Sequence, residues 1–116
     1  MKFSRSLKLN HIFQRLYRTS GVANGYVVLY ARKNGTDTNR VGITVSKKLG
    51  HAVVRNRVRR RLRDIYRLHE DRFQPGWDIV VVARSKSVGV DFTRLTGAYL
   101  HLAEKAGILL PTDAGK

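Results

Sequence analysis

Residues 55–67 read RNRVRRRLRDIYR and hold seven arginines against one acid, Asp64. A planar guanidinium grips phosphate oxygens in pairs and stacks on bases, so arginine at this density suits nucleic-acid binding better than bond breaking. Arg55, Arg59, Arg63 and Arg67 follow one another at i+4 spacing. Like charges at that spacing weaken an isolated helix, so tertiary packing must hold it and bound phosphate would relieve it. A merely solvated arginine face would normally be interleaved with Glu.

Groups that could catalyse do not converge in the sequence. The eight carboxylates are scattered, and only Glu70 and Asp71 adjoin, at a helix end where solvation is their default role. Of His11, His51, His69 and His101, the second and third share a helix face. They would stand ~27 Å apart at ~1.5 Å per residue, too far to share a metal. No glycine pattern matches a nucleotide loop, and no Ser or Thr has a nearby His–Asp pair. Zero cysteines exclude a disulfide framework, a thiolate metal site and a cysteine nucleophile. Neither a catalytic residue nor a metal or other cofactor is expected on the chain itself.

The charge is as uneven as it is large. The 116 residues carry 23 Lys and Arg against 8 Asp and Glu, a net of +15. Residues 1–63 hold 16 bases and one acid, and residues 64–116 hold seven of each, so the whole excess lies in the first part. Such self-repulsion calls for a polyanion, with nucleic acid first and an anionic membrane surface second. With 42% apolar residues the chain can still bury a core. No apolar run approaches the ~18 residues of a membrane span, and residues 1–10 lack a secretory h-region. An intracellular domain over residues 1–107 is expected, with 108–116 as a frayed tail.

The elements that must position the arginines follow from periodicity. Asn10 caps a predicted first helix with Leu9, Ile12, Phe13, Leu16 and Tyr17 at helical spacing, ending near Ser20-Gly21. Residues 26–31 (YVVLYA) read as a strand, 33–39 as a turn around Asn34-Gly35, and 40–46 as an antiparallel return strand. Residues 47–50 form a short basic loop. A helix over 52–69 turns Val54, Val58, Leu62, Ile65, Tyr66 and His69 inward, within ~120° of arc. Residues 77–83 (WDIVVVA) are of buried-strand type. Asp91 caps a last helix over 92–106, which turns Leu95, Tyr99 and Leu102 inward and stops at Gly107. The class is an α/β sandwich, an α+β arrangement in the order α-β-β-α-β-α with one mixed sheet of about four strands.

Residues 52–60 (AVVRNRVRR), preceded by 40–50 (RVGITVSKKLG), resemble the signature of the bacterial ribonuclease P protein subunit, whose hallmark is the Arg-Asn-Arg core. Leu7-Lys8, Phe13-Gln14 and Tyr30 fit the same pattern, and the resemblance covers about residues 5–85. It implies a left-handed crossover between the strands flanking the basic helix, where the general rule favours the right hand. It implies a catalytic RNA that uses bound magnesium to cut precursor tRNA at the 5′ end of the mature sequence. The protein would bind that RNA and the single-stranded 5′ leader in the cytoplasm, with no membrane or DNA partner.

Two surfaces are implied with it. Lys47, Lys48, Arg55, Asn56, Arg57, Arg60 and Arg61 would face the catalytic RNA. Phe13, Tyr17 and Tyr30, flanked by Arg59 and Arg63, would line the leader cleft between the first helix and the sheet. Aromatic faces stack on unpaired bases whatever their identity, which suits many different leaders. Spacing alone favours Phe13 and Tyr17 as core residues, and only the resemblance turns them to the leader; Lys47 and Lys48 also read as an ordinary turn. Arg61 falls near the apolar stripe, where it can snorkel over the core. Val27 stands where an aromatic is common, which would make the leader platform smaller. The other readings are a ribosomal or RNA-chaperone protein without a part in catalysis, and a self-sufficient nuclease, which the scattered carboxylates disfavour.

Overall fold

The most apolar strand takes the centre of the sheet. The computed structural model describes residues 4–6, 16 and 21–111. Its strands are β1 (Ser4–Ser6), β2 (Val22–Ala23), β3 (Val27–Lys33), β4 (Asn39–Thr44) and β5 (Trp77–Ala83), in the spatial order β1-β4-β5-β3-β2. β5 runs antiparallel to β3 and parallel to β4, and β1 adds a parallel edge to β4. The helices that lie wholly among the described residues are α1 (Ala52–His69) and α2 (Phe92–Lys105); apart from Leu16, the predicted first helix lies outside them.

β3 and β4 point in opposite directions, as a hairpin would, but they are not neighbours. β5 lies between them and pairs with both, which corrects the expected return strand. The reason is burial: Asp78, Ile79, Val80 and Val81 are all buried, a pattern only an interior strand satisfies. The turn between β3 and β4 therefore has to cross the end of β5. Asn34 shapes it, its Nδ2 donating to the Thr38 carbonyl at 2.9 Å while its Oδ1 accepts from the Thr36 N–H at 2.9 Å. The Asn34 N–H reaches the Gly76 carbonyl just before β5. Gly76 has φ +93°, and a Cβ there would meet the Thr36 carbonyl oxygen at 2.6 Å.

Alternation along the strands divides the sheet into two unlike faces. Val27, Leu29, Val41, Ile79, Val81 and Ala83 face the layer of α1 and α2 and join the main core with Leu62, Ile65, Tyr66, Leu95 and Tyr99. Asn39 pins this layer together. It is fully buried, its Nδ2 donating to Tyr66 Oη and the Gln74 carbonyl (both 3.0 Å) and its Oδ1 accepting from the Trp77 N–H at 2.8 Å. On the opposite face Val80 packs with Leu16, and Tyr30 and Val82 flank that contact.

α1 spans the predicted residues, and Val58, Leu62, Ile65 and Tyr66 are its buried positions. The Asp91 side chain caps α2, accepting from the Arg94 N–H at 2.6 Å. Two expectations change. Glu70 is buried in a short 3-10 turn after α1 rather than solvated. Residues 108–110, expected in the frayed tail, are docked: Ile108 is fully buried, Leu109 bridges to Phe73, and the Leu110 N–H donates to the Arg72 carbonyl. The apolar Ile108 side chain completes the core beside α2, so the ordered chain runs past residue 107. Residues 112–116 lie outside the described residues.

Candidate RNA-binding surfaces

α1 carries its charge on two levels. Val53, Asn56, Arg57 and Arg60 surround an open depression of about 300 Å³ on the side turned away from the core. Asn56 is set by its neighbour, its Oδ1 accepting from Arg59 Nη1 at 2.8 Å. That leaves the amide NH2 of Asn56 to donate outward. Val53, 71% exposed, gives the depression an apolar wall against which a base can lie. Arg67 pairs with Asp64 at 3.6 Å, the one acid on the helix.

The turn before α1 extends this surface. Lys47 and Lys48 are exposed on a 3-10 turn (Lys47–Leu49), and Ser46 Oγ accepts from the Lys48 N–H at 3.1 Å. Gly50 follows with φ +143°, and Arg55 Nε donates to its carbonyl at 3.2 Å. His51 caps α1 without a side-chain bond, and no acid stands in the first turn. The free N–H groups and dipole of the helix start therefore add to the lysine charge and favour a phosphate.

Arg61 takes no place on that outer face. It is half-buried and donates through Nη1 to the Val90 carbonyl in the segment leading to α2. A helix turns ~100° per residue, so Arg59 and Arg63 lie on the flank opposite Arg61, away from α2. They project from the layer opposite Tyr30's face of the sheet, and Arg59 is joined to Asn56 instead. Of the expected leader set, Tyr30 is the member that the structure sets on the Leu16 face, directly paired with Val80 in register. Phe13 and Tyr17 lie outside the described residues. Val27 faces the helices and is fully buried, so its size does not shape Tyr30's face; Val28 is the neighbour that does.

Among the described residues, no three of His, Asp and Glu come together in a metal-binding group. His69 donates from Nδ1 to the Ile65 carbonyl at 2.8 Å, a local contact within α1. Among the same residues no helix is long and apolar enough to cross a membrane.

The family model Ribonuclease P matches residues 1–107. A ribonuclease P protein component of Lachnoclostridium phytofermentans is 43% identical over 111 residues, covering 95% of this chain and 96% of the relative. That of Alkaliphilus oremlandii is 38% identical over 110 residues, 94% and 96% of the two chains.

The chain belongs to the ribonuclease P protein component family.

Solved relatives share its shape. The RNase P protein of Staphylococcus aureus is 34% identical, with a TM-score of 0.82 over 90% of this chain and 97% of that one. The Thermotoga maritima protein, also 34% identical, has a TM-score of 0.80 over 87% and 96%. This ribonuclease P protein is thus a subunit of an RNA-based endoribonuclease that matures the 5′ end of tRNA, and the ribosomal or chaperone reading is not favoured.

Several residues at or near the candidate surfaces are not marked by motif or periodicity. Val53 was detectable as a valine off the apolar stripe of its helix. Arg40 and Asp78 were detectable in part, because an acid inside the apolar run WDIVVVA must find a charged partner once buried. The structure supplies it: Arg40 Nε and Nη2 meet the two Asp78 oxygens at 2.7 Å each.

Proposed function

We propose that this ribonuclease P protein binds the catalytic RNA and the precursor's 5′ leader on opposite sides of its sheet and supplies no catalytic group itself. The observation that carries this reading is the two-sidedness of the sheet. The Asn56–Arg57–Arg60 depression stands on the helical layer, and Tyr30 stands beside Leu16 on the other. Lys47, Lys48, Arg55, Asn56, Arg57 and Arg60 take the catalytic RNA; Arg61 contributes by fixing the start of α2 against α1. Tyr30, with Phe13 and Tyr17, takes the leader by stacking, while Arg59 and Arg63 track backbone between the two surfaces.

Magnesium on the partner RNA supplies the activated water and charge stabilisation for hydrolysis. The chain's own residues hold the two strands in register and offset their phosphate repulsion. The site of action is the cytoplasm.

Leader-length dependence tests the proposal. With reconstituted holoenzyme, affinity for precursor tRNA rises as the leader lengthens by several nucleotides. Tyr30→Ala removes one stacked base, worth ~1–3 kcal/mol, and Tyr30→Phe retains it. An unchanged length dependence in Tyr30→Ala contradicts the leader assignment.

A further inference from the structure

One row of residues across the sheet has no part in the surfaces above. The strand register sets Arg5 of β1 beside Arg40 of β4, Arg40 beside Asp78 of β5, and Asp78 beside Arg32 of β3. Four strands therefore bring Arg5, Arg40, Asp78 and Arg32 into one register. In sequence these residues are spread from position 5 to position 78, and only the strand register brings them into one row.

The row adjoins the leader face. Arg32 follows Tyr30 by two residues and Asp78 precedes Val80 by two on the antiparallel partner, so they share that face ~6.6 Å further on. Asp78 is nearly buried and takes Nε and Nη2 of Arg40, while the Arg40 side chain remains 37% exposed. Asn34 Nδ2 donates to Asp78 Oδ1 at 3.1 Å and braces the carboxylate from the turn. A guanidinium held along one edge keeps Nη1 for a further acceptor, in an orientation already paid for by the fold. Beyond it opens a depression of about 450 Å³ lined by Asn34, Thr36, Thr38 and Arg40, none of them acidic.

We infer that Arg40, oriented by Asp78, and Arg32 form a phosphate-binding station for the leader strand beyond the base stacked on Tyr30. The ligand is a phosphodiester of single-stranded RNA, and the polar depression gives the strand its way off the sheet. Asp78 is a positioning residue; Arg40 and Arg32 touch the phosphate. This inference rests on the leader reading of Tyr30's face and extends it.

The test uses reconstituted holoenzyme and precursor tRNAs with short and long leaders. Its readout is the ratio of the two affinities within one holoenzyme, which cancels any general loss of folded protein or of RNA docking. Two variants keep the fold in hand. Arg32→Gln changes an exposed side chain, and the double variant Arg40→Gln with Asp78→Asn removes both charges of the pair, leaving no buried ion unpaired. The expected result is a fall of about tenfold in the long-to-short ratio when all three changes are combined. The salt slope of the long-leader complex flattens by about 0.7 for each phosphate that the variant no longer neutralises. A ratio unchanged in these variants but lowered by Tyr30→Ala overturns this inference and spares the leader reading. A ratio unchanged in Tyr30→Ala as well overturns both. A parallel weakening for short and long leaders places the row on the catalytic RNA and overturns the leader assignment.

Discussion

Arg55 Nε lies 3.2 Å from the carbonyl oxygen of Gly50 and donates to it. The first arginine of the Arg-Asn-Arg core therefore braces the basic turn that precedes the helix. Arg57, two residues on, stands outside with Asn56 and Arg60. Residues that look equivalent in the sequence thus differ in their work.

That difference has a salt signature. Arg57→Ala and Arg60→Ala each flatten the log–log salt dependence of binding to ribonuclease P RNA by the share of one phosphate, about 0.7–0.9. Arg55→Lys keeps its charge but loses the Nε donor that braces Gly50. Its affinity falls while its slope stays near wild type. Titrations over a range of salt concentrations, by filter binding or fluorescence, check both outcomes.

Asn39 joins β4, α1 and the segment before β5 through its side chain. Asn39→Ala leaves the Trp77 N–H and the Tyr66 hydroxyl without that partner in a closed core. The expected loss is about 3 kcal/mol, since three hydrogen bonds are lost at about 1 kcal/mol each. Urea unfolding monitored by circular dichroism measures it, and a loss below about 1 kcal/mol contradicts the pinning role.

Tyr99 supplies a pH prediction. Its hydroxyl is buried with no hydrogen-bond partner among the described residues, and burial, with Tyr66 as second cause, pushes its pKa above the ordinary tyrosine range. Both folded and unfolded chains are neutral at this group below the usual value of ~10, so its contribution is fully present there. As pH rises past ~10 the unfolded chain ionises first, and stability falls by up to ~1.4 kcal/mol per pH unit from this group. Tyr99→Phe removes that share of the alkaline slope. It also removes an unpaired hydroxyl, which raises stability at neutral pH by about 1 kcal/mol. Unfolding curves between pH 7 and 11 decide the matter.

The helices were legible because their signals are local. The stripe Val58, Leu62, Ile65 and Tyr66 and the Asp91 cap each lie within one element, and both helices fall where periodicity sets them. The sheet order was not, because a turn at Asn34-Gly35 between two strands reads as a hairpin until the burial of β5 forces that strand between them. The site divided along the same line. Arg57 and Arg60 were legible as neighbours on one helix, whereas the row Arg32, Asp78 and Arg40 exists only through strand register. Arg61 showed the limit of a motif: its position beside the apolar stripe decided its contact with Val90.

The central claim is that this protein grips RNA while the bond is broken elsewhere. Reconstitution at low magnesium tests it most directly, with precursor tRNA offered to the protein alone, to a bacterial ribonuclease P RNA alone, and to both. The account predicts efficient cleavage at the mature 5′ end with both together, weak cleavage with the RNA alone and none with the protein. Cleavage at that junction by the RNA-free protein would contradict it.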